Sequence, residues 1–346
     1  MNENKNVLKY EYEALKVGDA DAILIRHYIN DVPFIVLIDA GNAGDAAIIK
    51  KHLKDYYNSY YIDLAICTHP DSDHKDGFFD LLQDDDITID TFWLTDPAQY
   101  LDVDDIQNYR NKENATKAVR KIWQKSTDPN LNLIDLALKK CEKVMSVIDG
   151  VQHPILPISI VGPSEKYYRE VVKTMVADYG IKTYDDSSKE AYDDAFKIDE
   201  NDIKSVIDSE EDSSPYNASS LIILYEPGDG KRLLFAEDAN TTSLQMMLNK
   251  YKWLRNVDFL KVPHHGSRRN LNTSIIEDLS PKSSCISAAG NKKHPSGRLV
   301  YWLAKYGNVY STHICNSYMH CQSGTIPNRN GSVNLMPLKR NQNNKL

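Results

Sequence analysis

Apolar positions along the chain follow two periods. Leu8, Tyr10 and Tyr12 alternate with polar neighbours, as in a strand with one covered face. Ala22-Ile23-Leu24-Ile25, Pro33-Phe34-Ile35-Val36-Leu37-Ile38 and Tyr61-Ile62-Asp63-Leu64-Ala65-Ile66 are short apolar-rich runs that also read as strands. Between them Ala46, Ile49, Leu53 and Tyr56 recur at helical spacing and predict about three turns of helix. Further on, Phe78 opens an expected short helix and Thr91-Phe92-Trp93-Leu94 a strand.

From about 97 to 215 the texture changes. The spacing predicts helices over 115–125, over 131–148 (Ile134, Ala137, Leu138, Cys141, Val144 and Ile148 on one stripe) and over 165–178, with a strand at Ile158-Ser159-Ile160-Val161. The acidic run from Tyr184 to Ser214 has too little apolar content to pack and reads as a mobile excursion. This segment therefore reads as a helical, acidic insertion in a β-rich scaffold. Strands return at 219–225, 233–236, 259–262 and 285–288, with helices over 241–251 and from Ser296 toward Gly307. A Lys- and Asn-rich tail, 337–346, is expected to fray.

Composition narrows the class. The 346 residues contain no apolar run near the roughly 20 that a membrane helix needs, and the N-terminus leads into no signal-peptide core. Five widely spaced cysteines suit a reducing compartment better than a disulfide framework, so a soluble, cytoplasmic protein is expected. Cys315 and Cys321, with His313 and His320 nearby, match no common zinc spacing. The net charge of -8 argues against a general nucleic-acid binder, but much of it sits between Asp185 and Asp212, so a phosphate substrate stays open.

The chemistry concentrates after the strand that ends at Ile66. His69-Pro70-Asp71-Ser72-Asp73-His74 places two carboxylates and two imidazoles in six residues. One Asp there would read as a helix cap; this many ligand-type groups on one turn would repel unless a divalent cation joined them. Asp39, Asp238, His265 and His294 each follow a predicted strand as well, which puts them on one rim of a sheet sandwich.

The order of these strand-end motifs, His69-Pro70-Asp71-Ser72-Asp73-His74, then Glu237-Asp238, then Val262-Pro263-His264-His265-Gly266, resembles that of metallo-β-lactamase-fold hydrolases. Val17-Gly18-Asp19-Ala20-Asp21-Ala22, Leu37-Ile38-Asp39-Ala40-Gly41, Leu260-Lys261-Val262-Pro263-His264-His265-Gly266-Ser267 and His294-Pro295 resemble, within that superfamily, the hydrolase domain of DNA-uptake competence proteins, here without their membrane part. The resemblance implies an α+β fold, an αββα sandwich of two mixed sheets flanked by helices, and one domain over 1–346. By the resemblance, His69 and Asp71 would serve one metal ion, Asp73, His74 and His265 a second, and Asp238 would bridge them. Two departures stand out: Asp71 replaces a histidine, and Glu237 replaces the usual glycine. The usual histidine ligand between the first turn and Asp238 is also missing, leaving Asn217, as a weak ligand or substrate contact, or His153 as an ordinary loop residue.

Two divalent ions bring +4 against -3 from Asp71, Asp73 and Asp238, so one bridging hydroxide makes the set neutral. An extra carboxylate in place of imidazole hardens the site, and Zn2+ and/or Mn2+ are the expected ions. The function so implied is a metal-dependent hydrolase, a phosphodiesterase or nuclease acting on a phosphodiester such as nucleic acid or nucleotide. The alternatives are an ester, thioester or lactam hydrolase of the same fold, or a regulatory or binding module with a partly decayed site. Asp73 and His294 are the candidate catalytic residues, His294 as phosphate contact or general acid. His264, Ser267, Arg268, Lys292 and Lys293, with Arg269 and Arg298, are candidates for a substrate-facing wall, and His264 reads equally as an orienting or packing residue. Asp39 would fix a ligand histidine's tautomer or stabilise its own turn.

Overall fold

The computed structural model describes residues 8–102, 111–178, 198–314, 323–326 and 338. Its strands in chain order are β1 (Tyr10–Ala14), β2 (Ile23–Ile29), β3 (Val32–Ile38), β4 (Tyr61–Ile66), β5 (Thr88–Leu94), β6 (Gln124–Lys125), β7 (Asp128–Asn132), β8 (Lys143–Ser146), β9 (Ile158–Gly162), β10 (Ile222–Tyr225), β11 (Leu233–Phe235), β12 (Phe259–Lys261), β13 (Ser283–Ile286), β14 (Asn308–Ser311) and β15 (Ser323–Gly324). Seven form one sheet in the order β15-β1-β2-β3-β4-β5-β8, six form another in the order β14-β13-β12-β11-β10-β9, and β6-β7 is a separate hairpin. Each large sheet is mixed. β3, β4, β5 and β8 run parallel, as do β11 through β14.

Strand parity explains the layers. Successive side chains point to opposite faces, so a continuous apolar run serves two cores at once. Ile23 and Ile25 of β2, with Val36, Ile38, Leu64, Ile66 and Trp93, meet Ile160, Ile223, Tyr225, Leu233 and Phe235 of the other sheet in the middle layer. Leu24, Leu37, Ala65 and Phe92 face outward instead, onto Ile49, Phe78, Phe79, Leu82 and Ile134 of helices. The outer face of the second sheet, with Leu224, Leu234 and Leu260, is covered by Leu244, Ile275, Ile276, Leu299 and Leu303. The αββα sandwich of two mixed sheets is the architecture expected from the sequence.

Several local expectations change. The helix after the His69–His74 motif begins at Ser72, not near Phe78, so Asp73 and His74 lie in its first turn. The stripe over 131–148 divides into a helix, Leu133–Lys140, and β8, whose Val144 pairs with Phe92 on the edge of the first sheet. Short apolar runs such as Val144-Met145 fit either period, and the waiting sheet edge decides between them. The segment 97–215 thus supplies β8 to one sheet and β9 to the other.

Of the acidic excursion, 184–197 lies outside the described residues; the rest includes a helix that packs, against the expectation of too little apolar content. Glu200–Ile207 is helical, Ile203 and Ile207 are buried in the outer core, and Asp212 is buried. Two isoleucines four residues apart suffice to anchor it. Within the expected tail, 337–346, only Leu338 is described; it is buried, and its N–H donates to the Val309 carbonyl at 2.8 Å. Cys315, His320 and Cys321 lie outside the described residues. Among the described residues no helix is long and apolar enough to cross a membrane, and Cys67, Cys141 and Cys285 are free thiols.

Candidate metal centre

Every group in the cluster lies beyond the C-terminal end of a parallel strand, where an open α/β sheet presents loops to a ligand. β3 leads to Asp39, β4 to His69 through His74, β11 to Asp238, β12 to His264 and His265, and β13 to the loop carrying His294. The turns are sharp. Asp39, Glu237, His264 and His265 have φ of 55°, 38°, 48° and 53°, in the left-handed region that side chains other than glycine's rarely adopt. Glu237 therefore occupies a glycine-type backbone position, which accounts for the glycine usual there in the resembled motif.

Asp238 is the pivot. Its Oδ1 lies 3.3 Å from His74 Nε2, while its Oδ2 lies 3.9 Å from His69 Nε2 and 4.0 Å from His264 Nε2. On the Oδ1 side, Asp73 Oδ2 stands 3.5 Å from His74 Nε2 and 3.0 Å from His265 Nε2. On the Oδ2 side, Asp71 Oδ2 stands 3.5 Å from His69 Nε2. Asp71 occupies the N-cap position of Ser72–Gln83, yet its side chain makes no capping hydrogen bond, so capping does not explain it.

The outer ring nitrogens are held by acceptors, which sets the tautomers. His74 Nδ1 donates to Asp39 Oδ2 at 2.7 Å. The same carboxylate accepts from the Thr68 N–H at 2.8 Å and the Thr68 hydroxyl at 2.6 Å. With its hydrogen committed there, Thr68 Oγ accepts from His69 Nδ1 at 3.2 Å. His265 Nδ1 donates to the Ser287 carbonyl at 3.0 Å. Each imidazole consequently turns Nε2, with its lone pair, toward carboxylate oxygens. That juxtaposition is repulsive without a cation between them.

The orphaned atoms make the same point. Among the described residues, His69 Nε2, His74 Nε2 and Asp238 Oδ1 are buried without a hydrogen-bond partner. Buried polar atoms normally have one, and imidazole nitrogens converging with carboxylates form a donor set suited to a divalent transition metal. Burial opposes a charge on His74, but Asp238, Asp73 and Asp39 outweigh it and hold its pKa well above the usual imidazole value. Burial likewise opposes protonation of His265, and Asp73 and Asp238 still raise its pKa. The carboxyls of Asp73 and Asp238 are pushed the other way, since their histidine neighbours outweigh burial.

Beneath the cluster lies a grouping of residues that sequence reasoning did not bring together. Asp21, Glu237 and Lys261 are fully buried, with Lys261 Nζ 2.9 Å from Asp21 Oδ2 and 3.9 Å from Glu237 Oε2. Burial pushes the Glu237 carboxyl well above its usual range, and Asp21 and Asp39 add to the shift despite Lys261. Asp21 shares a compact ligand-type group with His74, Asp238 and His265. Its carboxylate is already neutralised by Lys261, and it faces His265 on the Nδ1 side, at 4.0 Å, so we place it behind the ligands. The one available signal was a lysine inside the apolar strand Phe259-Leu260-Lys261-Val262.

The remaining expected residues are distributed unevenly. His294 is buried beside the cluster, its ring 5.6 Å from that of His264 and 5.8 Å from that of His265. Its loop is tied by Asp19, which accepts from the Ala289 N–H at 2.7 Å and from the Asn291 side chain; Asn291 Oδ1 in turn accepts from the N–H of His294 at 3.0 Å. Asn217 is buried, its Nδ2 donating to Asp212 Oδ2 at 2.7 Å and its Oδ1 without a partner. His153 accepts at Nδ1 from the N–H groups of Ile155 and Leu156 and so braces its own turn. Lys292 is exposed, Lys293 half-buried and Ser267 buried, with Ser267 Oγ accepting from the Arg269 N–H at 3.2 Å. The open positive wall is reduced from expectation: Arg268 lies 3.5 Å from Glu210, Arg298 lies 3.7 Å from Asp202, and the buried Arg269 donates to the Glu211 carbonyl at 3.1 Å. The packed acidic segment supplies all three partners.

No protein-family model matches the chain. Over 132 residues, 36% of its length, it is 30% identical to ComE operon protein 3 of Bacillus subtilis, and the match spans 16% of that protein. The solved structures it resembles include the metallo-β-lactamase-fold protein YhfI of Bacillus subtilis, at 9% identity and a TM-score of 0.42 over 91% of this chain and 99% of the other. A Cronobacter sakazakii metallo-β-lactamase with a HARLDQ motif follows at 13% identity and a TM-score of 0.37, covering 85% of each chain. MEM-A1, a subclass B3 metallo-β-lactamase from a soil metagenome library, is 12% identical with a TM-score of 0.36, over 86% of this chain and 89% of that one.

Proposed function

We propose that this protein is a metal-dependent hydrolase with a two-ion centre, acting on phosphodiesters. The observation that carries the reading is the division of Asp238, one oxygen toward His74 and the other toward His69, with a separate carboxylate on each side. A bridging carboxylate between two ligand sets suits a pair of divalent ions, Zn2+ or Mn2+. Such a pair supplies an activated water near neutral pH and offsets charge on phosphoryl oxygens.

The chain's own groups complete the chemistry. Asp39, Thr68 and the Ser287 carbonyl hold the imidazoles in the tautomer that ligation requires. Asp71 and Asp73 keep 35% and 25% side-chain exposure, which puts the solvent-facing mouth of the site on their side. His294, buried against His264 and His265, is positioned to donate a proton to a departing oxygen or to contact phosphate. Lys292 and Lys293 add positive charge on the same loop. Partial similarity to ComE operon protein 3 agrees with the motif resemblance, which implies nucleic acid or nucleotide as substrate.

The test combines metal analysis of the purified protein with hydrolysis of a generic phosphodiester, single- and double-stranded DNA and RNA, a carboxylic ester and a lactam, with manganese or zinc added. Phosphodiester cleavage that disappears in Asp73→Ala is the expected result. Protein that holds no metal and is no more active than Asp73→Ala would remove the enzyme reading; activity confined to esters or lactams would replace the substrate class.

A further inference from the structure

The Oδ2 side of Asp238 is short of nitrogen. Of the ligands expected from the motifs it has one imidazole, His69, and one carboxylate, Asp71, whereas the Oδ1 side has His74, His265 and Asp73. We propose that His264 is the missing ligand, closing the first metal site from the strand that also delivers His265. The proposal rests on the two-ion reading above and adds to it the identity of the fourth group.

Three observations meet on this residue. First, His264 Nε2 lies 4.0 Å from Asp238 Oδ2, almost the 3.9 Å that separates His69 Nε2 from the same oxygen. Two ligand atoms each about 2.1 Å from a tetrahedral ion stand about 3.4 Å apart, so the three atoms need contract only slightly around a cation. Second, polar partners hold the ring by its outer nitrogen, Nδ1, which leaves Nε2 turned toward Asp238. Asn270 Nδ2 donates to Asp212 Oδ2 at 2.8 Å and to the Asp238 carbonyl at 3.1 Å, which turns Asn270 Oδ1 toward His264 Nδ1, 3.0 Å away, as an acceptor. Asp212 Oδ2 stands 3.4 Å from that same nitrogen, giving the carboxylate-behind-histidine arrangement that metal-binding imidazoles use. Third, His264 has φ of 48°, and its N–H donates to the Glu237 carbonyl at 2.8 Å, so the backbone is pinned beside Asp238 in an unfavourable conformation. Asn217, the other candidate, has its Nδ2 2.7 Å from Asp212 Oδ2 and 3.2 Å from His264 Nδ1, on the side of the ring away from Asp238.

The experiment titrates Mn2+ and Co2+ into the full-length wild type and His264→Gln, counting bound ions by mass spectrometry and following the cobalt absorption bands. X-ray absorption on metal-loaded wild type counts imidazoles and does not depend on the variant folding. Two ions in wild type, a second ion weakened more than about 100-fold in His264→Gln, and four imidazoles per pair are expected. Two ions bound equally well by both proteins, with three imidazoles per pair, would overturn the assignment and leave the two-ion reading standing. No ion in the wild type would overturn both.

Discussion

Asp39 and His74 meet through a 2.7 Å hydrogen bond with both side chains fully buried. The same carboxylate holds Thr68 by two further bonds, and Thr68 in turn orients His69. One buried acid behind the first turn thus sets both of its histidines. Asp39→Ala is expected to weaken metal binding about 10- to 100-fold, as loss of such an outer partner does. Calorimetric metal titration checks it; an unchanged affinity in a folded variant would remove the positioning role.

Proton release is the second expectation. The ion-free protein holds His74 and His265 with raised pKa values, so both keep protons to higher pH than a free imidazole. A metal ion must displace them. Affinity should therefore rise with pH, and addition of metal to weakly buffered protein at neutral pH should acidify the solution. A titration that releases no protons would contradict this.

Under the proposed reading, Asp71 would make the first site harder than an all-imidazole one. Its Oδ2 lies 3.5 Å from His69 Nε2. Asp71→His should shift preference from manganese toward zinc, read as the ratio of ions retained after loading with an equimolar mixture. An unchanged ratio would show that Asp71 does not ligate.

Lys261 and Glu237 should behave oppositely although both are buried. Lys261→Met strands the Asp21 carboxylate, 2.9 Å from the lost ammonium, and should cost about 3–5 kcal/mol in urea unfolding. Burial raises the Glu237 pKa well above its usual range and so favours the uncharged carboxyl, and Glu237→Gln should therefore cost less than about 1 kcal/mol. Equal losses would show that Glu237 is ionised.

Gly77 is where the helix meets the Asp39 turn. A Cβ there would stand 1.9 Å from the Ala40 carbonyl oxygen, while the Gly77 N–H donates to the Gly41 carbonyl at 3.1 Å. Backbone cannot yield as a side-chain tip can, so Gly77→Ala should destabilise by about 2 kcal/mol or more and loosen metal binding with it. A variant as stable as wild type would show that the helix can shift away.

The residues most easily read were those whose chemistry is local. His69 through His74 lie within six positions, and their density alone demanded a cation. The strand ends carrying Asp39, Asp238 and His265 were legible because apolar runs stop there. Less legible were elements whose period was ambiguous, such as β8, and residues whose role depends on a distant partner. Asp212 belonged to a run that looked too polar to pack, yet it is buried beneath Asn217 and Asn270.

By itself, then, the sequence determined most of the alternation of strands and helices and the ligand types gathered at the strand ends, because apolar periodicity and residue chemistry act over a few positions, while the two-sheet class came from the motif resemblance. Tertiary structure alone decided how Asp238 divides between two sets of imidazoles, that Asp21 and Lys261 neutralise each other underneath, and that His264 faces the side on which nitrogen is short. Those facts depend on strands from two sheets arriving within a few ångströms of one another, and spacing along one chain carries no information about that distance.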